Sequence, residues 1–250
     1  MQYDSEVKHT LSIIIFLKGN SLPKILDIQL NLEQESILRR EGFKEYARIK
    51  SEIRNQISEL LETTNNTGLL QPVMAYEKYT IKKMTKNKVM MDNNASVNGA
   101  LVPSIFPEAI ELAIMVCTIG PRLENKVTEY SKSGETLHAM LLDGIGSTAV
   151  DILAQEACHF ISREATKHKL QASSPVNPGM PGLAITEQKN ILKLAHADEI
   201  GVSLTSSGVM VPRKSTSQVI AVGRHMHTWT QEEVCARCNL RETCPHCVLH

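Results

Sequence analysis

Four cysteines near the end of the chain form the strongest chemical pattern in the sequence. They are Cys235, Cys238, Cys244 and Cys247, spaced as C-x2-C-x5-C-x2-C. Each C-x2-C pair can bring two thiolates to one metal, so two pairs supply the ligands of a tetrahedral zinc ion or an iron–sulfur cluster. Zinc ribbons separate their pairs by about 15–20 residues. The short central gap therefore favours an iron–sulfur cluster over zinc, with uncoordinated thiols as a third alternative.

The same terminal segment is rich in histidine, which is an alternative metal ligand. The histidines are His225, His227, His246 and His250. One of them could replace a cysteine as a ligand, but the sequence favours a solvated polar tail as their role. Thr230-Gln231-Glu232-Glu233 is a capping-box pattern, which predicts a short helix that presents Cys235.

A loop at residues 173–182 is the second candidate site. It contains three prolines, Pro175, Pro178 and Pro181, and two glycines, Gly179 and Gly182. Proline fixes φ and glycine accepts backbone angles that other residues avoid, so the loop can hold one shape and line a binding site. The alternative is an ordinary surface crossover.

Residues 144–149 match the pattern G-x-G-x-x-A. A dinucleotide site needs a strand before the glycines and a helix that begins within them. Here the preceding residues continue a helical stripe, so the two glycines predict close packing of a neighbour against a helix. The carboxylates of Asp143, Asp151 and Glu156 lie on the same helix. They indicate a solvated face, from which one could reach a ligand.

Hydrophobic periodicity predicts both helices and short strands. We expect helices at about 44–64, 121–134, 135–168 and 186–195, the last with Thr186 as its N-cap. We expect strands at 73–81, 88–91, 112–119, 202–205, 209–211 and 218–222. The composition changes after Gly223. We therefore predict an N-terminal leader or extra strand at 1–30, a main domain at 31–223 and a cysteine-rich tail at 224–250.

The charge balance excludes two classes of partner. Lys plus Arg equals Asp plus Glu at 27 each, so no net field attracts nucleic acid or an anionic membrane. The apolar run at residues 11–17 is far shorter than the roughly 20 residues that span a bilayer. Cys117 and Cys158 stand alone in the sequence, unlike a disulfide framework. We therefore expect a cytoplasmic protein.

Three segments together resemble a known family. They are LLDGIGSTAVDILAQE at 141–156, NPGMPGLAITEQ at 177–188 and IGVSLTSSGVMVPRKSTS at 200–217. Over about residues 31–223 the chain resembles the reactivation domain of vitamin B12-dependent methionine synthase, especially its free-standing relatives in anaerobes. The resemblance implies an α+β fold with a twisted antiparallel sheet and long packed helices, followed here by the short metal-binding tail.

The resemblance also implies a function and a site. Domains of this family dock onto a cobalamin carried by a partner domain, where one electron and a methyl group from S-adenosylmethionine restore oxidised cobalt. The family loop Arg-x-x-Pro-Gly-Tyr matches Pro178 and Gly179, whereas Pro175 and Met180 stand in place of its arginine and tyrosine. Proline cannot form the two charge-assisted hydrogen bonds of an arginine, so the sequence predicts a loss of affinity for S-adenosylmethionine. The backbone from Asn177 to Met180 could still face a corrinoid.

Three functions follow as hypotheses. In the first, residues 31–223 bind a corrinoid-binding protein or methyltransferase and a cluster at the cysteines passes one electron to cobalt. In the second, the chain is a non-enzymatic module, stabilised by zinc, that only recognises such a partner. In the third, S-adenosylmethionine-dependent remethylation is retained, with the ligand held by residues such as Glu156 and Arg213.

Overall fold

The computed structural model describes residues 24–28, 30, 32–40, 50–237, 241–243 and 247–248 of the chain. The strands are Lys24–Asp27 (β1), Val73–Thr85 (β2), Lys88–Met91 (β3), Ser96–Asn98 (β4), Ala109–Thr118 (β5), Gln171–Ala172 (β6), Ser203–Leu204 (β7), Met210–Val211 (β8) and Ser215–Gly223 (β9). The α-helices are Gln34–Arg40 (α1), Ser51–Thr67 (α2), Leu101–Ile105 (α3), Arg122–Ser133 (α4), Thr136–Lys167 (α5), Gln188–Leu194 (α6) and Gln231–Arg237 (α7). The apolar run at 11–17 and the predicted helical start at 44–49 lie outside the described residues.

The main sheet is antiparallel and strongly curled. Its strand order is β4-β3-β2-β5-β9-β6, and β1 pairs with the first part of β2. The predicted fold class, an α+β domain with a twisted antiparallel sheet and packed helices, is confirmed. The predicted hairpin is confirmed as well, since β2 pairs with β3 across a short turn.

The sheet is buried on both faces, which explains why β5 reads as an almost continuous apolar run. Successive side chains of a strand point to opposite faces. Ala113, Met115 and Cys117 belong to one apolar cluster, together with helices α1, α2, α4 and α5. Leu112, Ile114 and Val116 belong to the other, together with α3, α6 and the loop that precedes α6. Helix α5 and the loop therefore lie on opposite faces of the sheet.

Helix α5 is the central helix of the first cluster. Among the described helices it alone has the length and apolar content of a membrane span. Its most apolar window is 56% buried inside the protein. Its apolar residues, including Leu142, Ile145, Leu153 and Ile161, belong to the helix-side cluster of the core. This burial is the arrangement expected of a core helix that packs on a sheet.

The predicted close packing against the glycines of α5 is confirmed at Gly146. A Cβ atom built there would lie 2.5 Å from Cδ2 of Leu123, a fully buried residue of α4. Real Cβ contacts are essentially never that short, so the crossing of α4 and α5 depends on the missing side chain. The G-x-G-x-x-A pattern thus belongs to helix packing, inside a continuous helix.

Two helix starts test the capping predictions. The capping box is confirmed, because the Thr230 amide donates to the Glu233 carboxylate at 2.8 Å and the Glu233 amide donates to the Thr230 hydroxyl at 3.3 Å. The prediction of Thr186 as an N-cap is wrong. The chain enters α6 through a 3-10 helix at Ile185–Glu187, in which the Glu187 amide donates to the Ala184 carbonyl. That backbone bond takes the place of a side-chain cap.

The packing of α4 on α5 is testable by a double-mutant cycle. Gly146→Ala should lower the free energy of unfolding. Alanine stabilises the helix by about 1 kcal/mol relative to glycine, but the steric clash of the added methyl with Leu123 should cost more than that. In a Leu123→Ala background the methyl has room, so the same substitution should cost at least about 1 kcal/mol less. Urea unfolding of the four proteins measures this coupling. Strictly additive effects would contradict the packing described here.

Candidate functional site

The proline- and glycine-rich loop is paired to the sheet rather than crossing over its surface. Val176 and Val219 exchange two backbone hydrogen bonds, each of 2.9 Å. Three residues earlier, the Ser173 amide donates to the Ala221 carbonyl at 2.8 Å, and the Ala221 amide donates to the Ser173 hydroxyl at 3.0 Å. The loop therefore continues the sheet beyond β9, and its backbone position is fixed by strand pairing.

The tip of the loop is closed by its own backbone. The Met180 amide donates to the Asn177 carbonyl at 3.1 Å, the Leu183 amide to the Met180 carbonyl at 2.9 Å, and the Gly179 amide to the Leu183 carbonyl at 2.8 Å. Gly179 has φ = 97°, a value that favours glycine. The loop therefore holds one shape, as its composition predicts.

A second contact fixes the loop to the residues that begin α3. The Leu101 amide donates to the Gly182 carbonyl at 3.1 Å. Gly99 lies beside this bond with φ = 141°, and a Cβ atom there would lie 2.5 Å from the Gly182 oxygen. The close approach of the two backbones thus requires glycine at position 99.

A polar clamp holds the exit of the loop. The Glu187 carboxylate accepts from the Asn98 amide at 3.1 Å, from Asn98 Nδ2 at 2.9 Å and from Asn190 Nδ2 at 3.1 Å. Asn190 also donates to the Ser96 carbonyl at 2.8 Å. These bonds join β4 to α6, so both ends of the loop are attached to regular structure.

The loop offers few donors to an anionic ligand. Prolines carry no amide proton. The amides of five further residues donate within the protein, namely Val176, Asn177, Gly179, Met180 and Leu183. The sulfur of Met180 accepts from the Asn177 amide at 3.2 Å and its side chain packs on the apolar cluster of this face. Pro175 and Met180 therefore do not fit the carboxylate recognition that an arginine and a tyrosine would supply at these positions.

Glu156 and Arg213 are not brought together. Arg213 precedes Lys214, whose Nζ lies 2.9 Å from the Asp143 carboxylate near the start of α5. Glu156 follows Asp143 on the same helix by 13 residues, which is about 20 Å of helix axis. Its carboxylate lies 3.6 Å from His159 Nδ1. Glu156 is also separated from Asn177, because α5 and the loop pack on opposite faces of the sheet.

Lys214 forms a network that the sequence did not reveal. Its ammonium group donates to the Ser147 hydroxyl at 2.6 Å and pairs with Asp143, and its side chain is only 15% exposed. The Arg213 amide donates to the Glu124 carboxylate at 3.0 Å. Together these bonds fasten the start of β9 to α4 and α5. The one available signal was the spacing of Asp143 and Ser147, which places both on one helix face.

The segment that leads from β9 to the four cysteines is hydrogen-bonded to the loop. The Trp229 amide donates to the Ser174 hydroxyl at 2.7 Å, and the Ser174 amide donates to the His227 carbonyl at 3.3 Å. The Trp229 ring stacks on Phe106 with centroids 6.1 Å apart. Helix α7 starts two residues later and carries Cys235. The candidate ligand loop and the cysteine-bearing segment are therefore neighbours.

Half of the predicted metal ligands fall within the described residues. Cys235 and Cys247 are buried, whereas Cys238 and Cys244 lie outside the described ranges. Within those ranges, histidine, cysteine and carboxylates form no metal-binding group. Of the histidines, His227 lies 3.1 Å from the Glu233 carboxylate and His225 is exposed, while His246 and His250 lie outside. The four-cysteine site and the division into 1–30, 31–223 and 224–250 stay predictions.

The remaining two cysteines are poor nucleophiles. Cys117 is fully buried on the face of β5 that packs against α5, and burial raises the pKa of its thiol far above the ordinary value. Burial likewise raises the pKa of Cys158 to about 12. Its thiol donates to the Gln218 side-chain oxygen at 3.4 Å. Both thiols stay protonated near neutral pH, and the thiolate is the form that attacks electrophiles and binds metals.

The fold and the loop define a class of protein: an α+β domain with a curled antiparallel sheet. Helices α1, α2, α4 and α5 pack on one face of the sheet, and the fixed proline- and glycine-rich loop packs on the other together with α3 and α6. Comparison with protein-family models finds no match, and neither does comparison with curated proteins. Among solved structures, the chain is similar to the MetH reactivation domain bound to AdoHcy. The TM-score is 0.60 at 12% identity, over 77% of this chain and 70% of that one. This similarity shows the fold.

Substitution of Gly99 tests the attachment of the loop. Gly99→Ala forces a methyl against the Gly182 carbonyl oxygen, which is backbone and cannot rotate away. Gly201→Ala is the matched control, because Gly201 also has positive φ but open space around its Cβ position. We expect backbone strain of about 1–2 kcal/mol at Gly201 and at least about 1 kcal/mol more at Gly99. Equal losses in urea unfolding would contradict the close approach.

Alkylation tests the environment of Cys158. The pKa of about 12, against an ordinary 9.0, leaves about a thousandfold less thiolate in the folded protein at about pH 8. The reaction with iodoacetamide, followed by mass spectrometry, should therefore be slower at Cys158 in the native chain than in urea by a factor of that order. As the pH rises, the Cys158 thiol loses its proton in the unfolded chain before it does so in the folded chain. The free energy of unfolding should therefore fall between about pH 9 and 12. Equal rates in both states would contradict the burial.

Proposed function

We propose that this chain supports the reductive reactivation of a corrinoid carried by a methyltransferase or corrinoid-binding partner. The observation that carries the proposal is the contact between the loop and the segment that precedes the cysteines. The Ser174 hydroxyl and amide tie the loop to the segment that carries the cysteines. The fold itself resembles the MetH reactivation domain bound to AdoHcy. A corrinoid docked at the loop would then lie close to the start of the cysteine tail.

The proposed chemistry moves one electron and one methyl group. Cobalt(II) on the partner gains one electron and becomes cobalt(I), which displaces the methyl group of S-adenosylmethionine from sulfur to give methylcobalt(III) and AdoHcy. Cys235, Cys238, Cys244 and Cys247 would hold an iron–sulfur cluster, which supplies a single electron at potentials as low as about −700 mV. A low-potential electron-transfer protein would restore that electron.

The proposal has two forms, which differ in whether this chain or a partner binds the methyl donor. The similar solved domain is bound to AdoHcy, the demethylated form of S-adenosylmethionine, which favours remethylation on this chain. The residues at 175 and 180 favour the other form, in which this chain only delivers the electron and a partner holds the methyl donor. We infer the second form, because five amides between Val176 and Leu183 are already bonded within the protein.

A zinc-stabilised module that only recognises the corrinoid partner is the alternative. The buried positions of Cys235 and Cys247 suit a structural metal as well as a cluster. In either case the proposal is a free-standing, anaerobe-type protein with an appended cysteine tail that works in the cytoplasm. A reducing compartment keeps such thiols available for metal. Balanced charge supports a protein partner rather than nucleic acid or a membrane.

Metal analysis of the chain purified without air tests the cluster. We expect iron and acid-labile sulfide, and an electron paramagnetic resonance signal after reduction. Cys244→Ser should lose most of the iron, because three thiolates hold a cluster less firmly than four. Cys158→Ser, a cysteine on α5 outside the tail, is the control and should keep it. Stoichiometric zinc without iron would reject the cluster and favour the zinc module.

Restoring the family arginine tests the explanation for the methyl donor. Pro175→Arg should increase affinity for S-adenosylmethionine by about tenfold or more, because a guanidinium can pair with the ligand carboxylate through two charged hydrogen bonds. Pro175→Ala removes the proline without adding a charge and should leave the affinity unchanged. Isothermal titration calorimetry measures both. Tight binding by the unmodified chain would show that other residues hold the ligand.

A further inference from the structure

A groove of about 960 Å³ lies beside the loop and has no part in the function proposed above. It runs between α6, with the 3-10 helix before it, and the β7–β8 hairpin. Its volume lies at the upper end of the range of small-molecule sites, about 300–1,000 Å³. Ile185 lines it and also contacts the loop, since its Cδ1 lies 3.6 Å from a Cβ position at Gly179. The groove therefore adjoins the loop without including it.

One wall of the groove is basic. Lys189 and Lys193 are separated by one helical turn on α6, so both project from the same face, and His196 follows them at the wall. Within the described part of the chain neither lysine has an ion-pair partner. Asp198 is the acidic residue among the lining residues, so the two lysines leave the wall with a positive balance.

The opposite wall is a hydroxyl-rich turn with a fixed shape. The hydroxyls of Thr205 and Ser207 lie 2.9 Å apart, and the Val209 amide donates to the Thr205 hydroxyl at 3.1 Å. The Gly208 amide donates to the Thr205 carbonyl at 3.0 Å, and Gly208 has φ = 83°. Ser206 completes the turn. Hydroxyl groups are thus presented across the groove from the lysines.

The floor between these walls is apolar. Leu192 and Val202 are buried and join the apolar cluster of this face, and Leu204 lies beside them. A ligand that fits the whole groove has an apolar body for the floor and an anionic group for the walls. Lysine ammonium groups and hydroxyls are suited to phosphate oxygens.

We propose that this groove binds a nucleoside phosphate, with its phosphates between the lysines of α6 and the turn at residues 205–208 and its base on the floor. The inference is independent of corrinoid reactivation, because none of the loop amides or tail cysteines takes part. It assigns a phosphate-bearing ligand to α6 and the β7–β8 hairpin. S-adenosylmethionine shares the adenosine part of such a ligand but has no phosphate for the lysines to bind.

Calorimetric titration of the purified full chain with ATP, ADP and adenosine tests the proposal. We expect ATP to bind, adenosine to bind at least about tenfold more weakly, and added salt to weaken ATP. Lys189→Gln with Lys193→Gln should weaken ATP by about tenfold or more. Lys82→Gln with Lys132→Gln changes the net charge equally at exposed lysines outside the groove and should have no effect.

Folding is checked separately, so that a loss of binding is not mistaken for a loss of structure. Each variant should keep the circular dichroism spectrum and unfolding midpoint of the parent chain. His196→Asn, which tolerates the left-handed conformation seen at φ = 55°, provides a second variant in the same wall and should weaken ATP. Absence of ATP binding at millimolar concentration, equal binding of adenosine, or equal loss in the control pair would overturn the proposal.

Discussion

The mutual backbone hydrogen bonds of Val176 and Val219 are the interaction on which the candidate site depends. They make the proline- and glycine-rich loop an extension of the sheet, so the loop inherits the rigidity of β9. Two further contacts lie beside this pairing: Ser173 is hydrogen-bonded to Ala221, and Ser174 to Trp229. Without that anchor, neither the tip of the loop nor the segment before the cysteines would have a defined position.

The same pairing sets what the loop can do chemically. Most amides of the loop already donate hydrogen bonds within the protein. The loop therefore presents a fixed shape and apolar surface, but few free donors that could bind an anion. The corrinoid face proposed as its partner is large and would be held by shape and apolar contact, whereas a small zwitterion needs directed donors. The position of Met180, with its sulfur bonded to Asn177 and its side chain on the core, follows the same logic.

Much of the fold could be predicted from local sequence, because helical and strand periods record which face of an element is buried. The long apolar stripe of α5 is one example, and the β2–β3 hairpin, predicted from two short apolar runs around a polar turn, is another. The close contact at Gly146 was also predictable, since two glycines inside a helix need a packing reason. The order of strands was not, because it depends on pairings between distant residues.

The candidate site was less predictable for the same reason. Lys214 meets Ser147 across 67 residues of sequence, and Trp229 meets Ser174 across 55. No local pattern records such contacts, although each fixes a functional segment. Thr186 illustrates the opposite error: its side chain suits an N-cap, but a 3-10 turn satisfies the backbone first. The four-cysteine pattern is visible from spacing alone, because the ligands of the predicted metal site are close in sequence, and that site stays a prediction.

The proposed role as an electron donor to a corrinoid can be measured in one reaction. The chain, reduced and freed of reductant, is mixed without air with the cobalamin domain of a methionine synthase loaded with cob(II)alamin, and the cobalt(II) paramagnetic signal is followed. The signal should fall as the chain is oxidised, and the Cys244→Ser protein should leave it unchanged. An undiminished cobalt(II) signal with the fully reduced, metal-loaded chain would rule out electron transfer from this chain to the corrinoid.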